Sequence, residues 1–271
     1  MATFPQLPRF LEANLAGTPR PDGLVKRIAD FLFHFIQNTP QEHRDQLEVE
    51  VKFGLVIDKS TGVRLNLPIL NEAALADVPE HFRFQPGLTL DQHRYYNEWL
   101  NARVNECAQE SHRGSKVYYK HTRLEDAFYQ DNRADKVRVS RDTATQEVVA
   151  CIQKRTLAHL NIHMPSMPLD CRVSVSLEVP VQLPPAHVPS TMTRCKDRLS
   201  YRHQIWRMDL TQVRTDKGEV LHELEMEVND LKPLVLEADK AGRNQVPNDF
   251  LGIVQVLTNN MRLLASKVAS Q

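Results

Sequence analysis

Several features that would assign a chain to a common protein class are missing from this sequence of 271 residues. It has no run of about 18 consecutive apolar residues, which argues against a membrane-spanning helix. Residues 1–21 lack a basic start followed by an apolar stretch, so we expect no secretory signal there. The P-loop motif GxxxxGK[ST] is also absent, which argues against a P-loop nucleotide site.

Cysteine is scarce, and its spacing fits neither a zinc site nor a disulfide scaffold. The four cysteines contain no CxxC pair and lie far apart along the chain, so we expect free thiols. Charge of one sign is not in excess either, because 34 basic side chains face 34 acidic ones. A basic coat for nucleic acid is therefore excluded, and any polyanion must bind where charges cluster locally.

Helical patterns lie mostly at the two ends of the chain, and strand patterns lie between them. Apolar residues three or four apart begin after Asp22 and recur over residues 90–110 and 248–268, whereas residues 61–87 predict loops with a short helix. We expect an α+β fold, an antiparallel sheet closed into a barrel or sandwich with helical covers. An irregular segment, 1–21, would precede a single domain, 22–271. The predicted strands lie in LEVEVKFGLVI, KVYYKHTRL, KVRVSRD, EVVACIQKRTLAHLNI, CRVSVSLEVPV, RLSYRHQIWRMDLTQV and EVLHELEMEV.

The charged residues of these strands alternate with apolar ones. Because residues two apart share a strand face, LEVEVKFG groups Glu48, Glu50 and Lys52 opposite valines and a phenylalanine. Lys154 and Arg155 lie on opposite faces of their strand. The same alternation in other strands groups Glu223, Glu225 and Glu227; Lys136, Arg138 and Ser140; Arg172, Ser174, Ser176 and Glu178; Arg194, Lys196 and Arg198; and Arg207, Asp209 and Thr211.

Two architectures fit this alternation. The charged faces could point outward around an apolar barrel, or they could line a hydrated tunnel whose apolar outer faces pack on helices. A barrel of about eight strands has room inside for side chains or one small ligand. In a tunnel, the carboxylates need a compensating cation, and hard oxygen ligands favour Mg²⁺, Mn²⁺ or Ca²⁺. The facing arginines and lysines need an anion such as phosphate, so a tunnel predicts a site for a metal-bound polyphosphate.

The two glutamate strands give the chain a family resemblance. With LEVEVKFG near the start and HELEMEV near the end, it resembles the fungal-type mRNA 5′-triphosphatases (mRNA-capping enzyme beta subunits) of the triphosphate tunnel metalloenzyme superfamily. VRVSRD, QKRTLAHL, RVSVSLEVPV, TRCKDRLSY and RMDLT resemble the intervening strands in the same order, so the resemblance covers residues 47–229. Two departures are that Arg172 often has a lysine counterpart and that residues 108–115 carry no motif.

The resemblance implies an eight-stranded antiparallel tunnel with a charged interior. The implied activity is removal of the γ-phosphate from the 5′-triphosphate end of nascent mRNA, the first step of capping, with hydrolysis of nucleoside triphosphates when manganese is supplied. The cofactor would be a divalent metal, Mg²⁺ or Mn²⁺. The expected partners are triphosphate-ended RNA, nucleoside triphosphates, a guanylyltransferase and the transcription machinery. We also expect a nuclear location and a homodimer.

The resemblance also implies roles for individual residues of the charged faces. The metal would be held by Glu48, Glu50 and Glu227, with Glu223 and Glu225 supporting that set. The phosphates would contact Arg138, Lys154, Lys196 and Arg198. A supporting ion-pair network would contain Arg194, Arg207 and Asp209, and Glu178 would position the attacking water.

Simpler roles remain open for several of these residues, and so do other functions. Lys52 is interpreted as a partner that neutralises Glu48 or Glu50, and Asp209 as a residue that orients Arg207 or Arg194. The same tunnel could hydrolyse inorganic tripolyphosphate or a free nucleotide. A barrel without catalytic activity, which binds RNA or a protein through outward charges, is the third hypothesis.

Overall fold

The computed structural model describes residues 12–18, 20–130, 136–243 and 246–267. Residues 1–11, residues 131–135 and Val268 therefore lie outside the described residues. Within the described ranges, no helix has both the length and the apolar character needed to cross a membrane. The helices are α1 (Gly23–Asn38), α2 (Leu90–Ala108), α3 (Lys232–Gly242) and α4 (Phe250–Ser266), and a short 3₁₀ helix spans Gln41–Gln46.

Eight long antiparallel strands close into a barrel in the described part of the chain. Their order around the barrel is β1-β7-β6-β5-β4-β8-β9-β10, and β10 returns to pair with β1. The seam is short and joins Glu50 to Glu227 and Lys52 to Glu225 in register. The strands are β1 (Leu47–Asp58), β2 (Ala73–Ala74), β3 (Phe82–Pro86), β4 (Val117–Gln130), β5 (Lys136–Asp142), β6 (Val148–His163), β7 (Asp170–Pro180), β8 (Met192–His203), β9 (Trp206–Thr215) and β10 (Val220–Val228).

The barrel is a charged tunnel with an apolar outer surface. Val49, Val51 and Phe53 on β1 are fully buried and join one core cluster with residues of α1 and α4. The opposite face of β1, which carries Glu48 and Glu50, lines the barrel interior. The structure therefore confirms the predicted tunnel. The alternative hypothesis, in which the charged faces point outward around an apolar barrel interior, is wrong.

Helix α1 illustrates how the outer cover forms. Asp22 caps its first turn by accepting hydrogen bonds from the backbone N–H groups of Leu24 and Val25, at 2.9 and 3.1 Å. Its buried stripe includes Ile28 and Leu32, which are both inaccessible to solvent. An amphipathic helix of this kind covers the apolar outer face of the strands.

Three local predictions differ from the structure. Residues 61–87 contain two short strands in place of a short helix, because β3 continues the sheet along the second half of β1. Gly54 permits this pairing, since a Cβ there would lie 2.2 Å from the carbonyl oxygen of Gln85. The predicted helix 248–268 is α4, in which Leu251 faces outward, 38% exposed, although it was expected on the buried stripe. Helix α3 was not predicted, because its sequence is only 11 residues long and buries only Leu234 and Ala238, too few to show a helical period.

A buried carboxylate fixes the loop that follows β1. Asp170 is inaccessible to solvent and accepts hydrogen bonds from the backbone N–H groups of Val56 and Met164, at 2.9 and 2.8 Å. Arg64 donates to both carboxylate oxygens at 2.7 and 3.0 Å, and His163 Nδ1 lies 3.0 Å away. Burial alone would raise the pKa of Asp170, but the contacts with His163, Arg64 and the backbone outweigh it and lower the pKa to about 2.

We expect Asp170→Asn to lower the free energy of unfolding at neutral pH by about 3 kcal/mol, because it leaves Arg64 without its buried partner. A carboxylate with a depressed pKa stabilises the fold above its unfolded pKa of about 3.9, and this contribution is lost as the pH falls towards 2. Urea unfolding between pH 7 and pH 2 should therefore show a smaller acid-induced loss for the variant than for the wild type.

The matched control for this prediction is Asp77→Asn. The Asp77 side chain is exposed, and its ion pair is a contact of 3.9 Å with His159. We expect its stability to remain within about 0.5 kcal/mol of the wild type. Equal losses in the two variants would contradict the structural role of Asp170.

Candidate active site

The tunnel encloses a cavity of about 500 Å³ whose wall is almost entirely charged. Among the described residues, eight bases and six acids line it. The bases are Lys52, Arg138, Lys154, Arg172, Arg194, Lys196, Arg198 and Arg207, and the acids are Glu48, Glu50, Glu178, Glu223, Glu225 and Glu227. The structure thus brings together every predicted site residue except Asp209, which lies buried behind this lining.

The seam between β1 and β10 carries the acidic side of the cavity. Lys52 Nζ donates to Glu225 Oε1 at 2.7 Å and lies 3.6 Å from Glu50 Oε2. Lys52 therefore neutralises Glu225 as well as Glu50, whereas the sequence suggested Glu48 or Glu50. Like charges on one strand face repel, so this lysine is what allows the two glutamate strands to pair.

Lys154 of β6, which is separated from β1 by β7, contacts the same acidic group. Its Nζ contacts Glu48 directly and lies 3.3 Å from Glu50 Oε1. The resemblance assigned this lysine to the phosphates and these glutamates to a metal. In the structure the two proposed sets touch each other, and the lysine neutralises the proposed metal ligands.

An ion-pair network centred on the buried Asp209 joins β8 and β9 at the cavity wall. Asp209 accepts hydrogen bonds from Arg207 Nε, at 3.0 Å, and from Ser200 Oγ, at 2.7 Å, and lies 3.3 Å from Arg198 Nη1. Arg207 also contacts Glu227. Asp209 thus orients Arg207 and Arg198, while Arg194 pairs instead with Glu223 at 2.7 Å.

A second buried acid, Asp126 of β4, is not recognisable from the motifs. Lys196 Nζ lies 2.6 Å from Asp126 Oδ2, and Ser140 Oγ donates to Oδ1 at 2.5 Å. The only sequence signal is the alternation of TRLEDAF, which places Asp126 on the same face as Leu124 and Thr122. Burial lowers the pKa of Lys196, and Asp126 opposes that shift, so the acid keeps a charged lysine in the wall.

The remaining part of the cavity wall includes Glu178 and Arg172. Arg138 Nη2 donates to Glu178 Oε1 at 3.1 Å, which fixes the glutamate predicted to position water. Arg172 lines the cavity, donates from Nε to Asn161 Oδ1 at 2.8 Å, and stacks its guanidinium 4.8 Å from the ring centroid of Phe84. The cavity also contains groups that the motifs did not indicate, namely Phe128, Thr156 and His159.

The carboxylates of the seam are not all equally compensated. Burial raises the pKa of Glu227 to about 7, despite the opposing charge of Arg207, and nearby Glu48 adds to the rise. Burial also raises the pKa of Glu50. Burial would raise the pKa of Glu225 too, but Lys52 outweighs it and lowers the pKa to about 2. Glu50 and Glu227 are therefore buried carboxylates whose negative charge is only partly compensated by their basic partners.

This partly compensated negative charge suits the binding of a divalent cation. Within the described ranges, no three Asp, Glu, His or Cys side chains already converge as a ligand set, because each seam glutamate contacts a lysine or arginine. Carboxylate oxygens are nevertheless the ligands that Mg²⁺ and Mn²⁺ prefer, and a cation would stabilise the charged form of Glu227, which burial disfavours. Glu48, Glu50 and Glu227 are the residues present to hold it.

The cysteine between two wall bases lies outside the cavity. Cys195 is exposed on the outer face of β8, opposite Arg194 and Lys196, and it forms no disulfide. All four cysteines are free, as the sequence predicted. A thiol nucleophile acting on a ligand in the tunnel is therefore excluded for Cys195.

Comparison with known proteins agrees with this geometry. The family described as mRNA capping enzyme, beta chain, matches residues 18–270. An mRNA-capping enzyme subunit beta from Schizosaccharomyces pombe is 35% identical over 94% of this chain and 84% of its own length. A polynucleotide 5′-triphosphatase, CTL1, from Saccharomyces cerevisiae is 25% identical over 83% of this chain and 73% of its own length.

A solved structure shares the same tunnel. The S. pombe Pct1 RNA triphosphatase, determined in complex with the Spt5 CTD, superimposes with a TM-score of 0.87 and 33% identity, covering 96% of this chain and 100% of that one. The barrel and its helical cover therefore match the fold of that RNA triphosphatase over nearly all of this chain. Since the family match extends over nearly all of its residues, this chain belongs to the mRNA capping enzyme beta chain family.

Proposed function

We propose that this chain removes the γ-phosphate from triphosphate-ended RNA by metal-dependent hydrolysis, as the first step of mRNA 5′ capping. The observation that carries the proposal is the composition of the cavity wall. Asp126 and Asp209 lie behind the lining and raise the number of described acids at the site from six to eight. This number equals that of the described bases in the lining, so the site as a whole is near neutral. A polyanion enters such a site at least cost when its own countercharge enters with it.

The basic wall binds and orients the phosphates. Arg138 comes from β5, and Lys196 and Arg198 come from β8; these two strands flank β4, and all three residues line the cavity. In a loose phosphoryl transfer, charge spreads over the equatorial oxygens, and fixed cations stabilise that charge without reorganising. Asp126 and Asp209 hold Lys196 and Arg198 in place, so both cations are positioned before the substrate arrives.

The opposite wall supplies the metal ligands and the group for the water. Glu48, Glu50 and Glu227 would hold Mg²⁺ or Mn²⁺, and the metal supplies charge neutralisation at the phosphoryl oxygens. Glu223 and Glu225 support this set through their own ion pairs with Arg194 and Lys52. Glu178 accepts a hydrogen bond from Arg138, and its second carboxylate oxygen orients the attacking water.

A second substrate class follows from the same wall. The lining is dominated by charged groups that suit phosphates, so free nucleoside triphosphates and inorganic tripolyphosphate fit the same site. Rates on triphosphate-ended RNA and on tripolyphosphate, measured with Mn²⁺, separate an RNA enzyme from a general triphosphatase.

The partners proposed for this chain follow its family. We propose a nuclear protein that meets nascent transcripts together with a guanylyltransferase and the transcription machinery. The Pct1 structure in complex with the Spt5 CTD supports a link to transcription. Co-purification with a guanylyltransferase from nuclear extract tests this, and a chain found only outside the nucleus would contradict it.

The proposed homodimer would use the helical side of the molecule. The sequence motivates it by the apolar run of Phe31, Leu32, Phe33 and Phe35, but Leu32 is buried within the chain and Phe33 packs on Phe250. A better candidate surface is the outer stripe of α4. Val256 and Leu263 lie seven residues apart on one helix face and are 41% and 42% exposed.

We expect the purified protein to release phosphate from triphosphate-ended RNA with Mn²⁺ and no partner. Glu48→Ala, Glu50→Ala and Glu227→Ala should each lower kcat by a factor of about 10²–10³, because each removes charge from the proposed metal site. Thermal unfolding should change little, since these side chains face the cavity and are not part of the apolar core.

The matched control is Glu125→Ala, an exposed glutamate on the outer face of β4. It should retain full activity. Normal turnover by all three seam variants would refute the metal assignment. No phosphate release from the wild type would favour a non-catalytic barrel.

Arg198→Lys is expected to recover little of the activity lost in Arg198→Ala. The guanidinium contacts Thr211 through Nε at 3.3 Å and Asp209 through Nη1 at 3.3 Å, and an ammonium group cannot keep both contacts while facing a phosphate. Steady-state kinetics of both variants at matched stability provide the measurement. Arg123→Ala, on the outer face of the adjacent strand, serves as the control. Full recovery by lysine would show that a point charge is sufficient at this position.

We expect a solution mass near twice 31.1 kDa at micromolar concentration. Replacing Val256 and Leu263 with glutamate should shift the protein towards the monomer, because two charges would enter the buried contact. Light scattering coupled to gel filtration measures both masses. A monomeric wild type would refute the dimer, and a dimeric double variant would refute this surface.

A further inference from the structure

At one end of the tunnel, β4 continues beyond its neighbour β5. β5 pairs with β4 only between Leu124 and Gln130, whereas β4 begins at Val117 and stays paired with β8 as far as His203. Residues 117–122 of β4 therefore have no β5 partner, while residues 199–203 of β8 pair with them on one side and with β9 on the other. We call this open-edged part of the sheet, residues 117–122 with 199–203, the apron.

One face of the apron is continuous with the tunnel wall. Because side chains alternate along a strand, Ser200 and Arg202 share the face of Arg198. Arg202 is the register partner of Tyr118 on β4 and of Arg207 on β9. A row of side chains thus runs from Tyr118 across Arg202 to Arg207, which lines the cavity.

The chemistry of this face suits single-stranded nucleic acid. Tyr118 is 56% exposed, and the Arg202 guanidinium lies 5.1 Å from its ring centroid. Lys120 is exposed on the same face, and neither Lys120 nor Arg202 forms a salt bridge with any described residue. An open aromatic ring beside uncompensated cations offers stacking to a base and attraction to its phosphates.

Towards the opposite end of the tunnel, Glu223 also lines a second cavity of about 690 Å³, whose wall includes Pro165, Pro168 and Leu221. Its arginine, Arg64, already donates to both oxygens of Asp170. A polyanionic chain is therefore favoured at the apron end.

We propose that the apron holds the first nucleotides of the RNA while its 5′-triphosphate lies in the tunnel. A base stacks on Tyr118, and Arg202 and Lys120 contact backbone phosphates. Stacking accepts any base, so the apron favours RNA over free triphosphates without selecting a sequence. This inference rests on the proposed RNA triphosphatase activity.

The test compares two substrates, a triphosphate-ended RNA of about ten nucleotides and inorganic tripolyphosphate. Tyr118→Ala should raise KM for the RNA about tenfold, as expected for the loss of one stacked base, and leave both constants for tripolyphosphate unchanged. Tyr118→Phe should retain the wild-type KM, because the ring remains. Lys120→Gln should lower the slope of log KM against log salt by about 0.7 for the RNA.

Tyr119→Ala is the matched control, since Tyr119 is exposed on the opposite face of the same strand. It should behave as the wild type on both substrates. An unchanged KM of Tyr118→Ala on RNA would overturn the apron and leave this face to a protein partner. If the wild type hydrolyses tripolyphosphate but not RNA, the proposed function itself fails, which is a different outcome.

Discussion

Mutual compensation of confined charges is the constraint on which the rest of this structure depends. Carboxylates and cations that meet in a narrow tunnel lose much of their hydration, and each is costly unless an opposite charge lies close by. Lys52 and Lys154 meet this need for the acidic seam, and Asp126 and Asp209 meet it for the basic wall. Removing any one of them would leave a buried charge unpaired.

Ion pairs of this kind contribute little to net stability, so the fold must be stabilised elsewhere. The apolar outer faces of the strands provide that stability. Val51, Val173 and Met226 are fully buried in the core cluster shared with the helices. Function and stability are thereby divided between the two faces of one sheet, and alternation along each strand lets both be satisfied.

The same compensation leaves the site responsive to its ligands. Glu227, whose negative charge is only partly compensated, lies on one wall of the cavity. Lys196 and Arg198, which are held by Asp126 and Asp209, lie on another wall. A metal and a polyphosphate can therefore each find a complementary surface within about 500 Å³. At the apron this balance ends, because neither Lys120 nor Arg202 forms a salt bridge with any described residue.

The sequence alone determined which residues share a strand face, because alternation is a local property of the backbone. The faces of β1, β7, β8, β9 and β10 were predictable for this reason. Helix α1 was predictable from apolar residues three and four apart, and the family from the resemblance of the ordered strand motifs. Only the tertiary structure decided which face is inside, since both architectures satisfy the same alternation. It also decided that Lys154 pairs with Glu48, that Asp126 supports Lys196, and that β4 outlasts β5 at the mouth. These pairings join residues tens of positions apart, and register between distant strands is set by packing and closure of the barrel, which no local pattern contains.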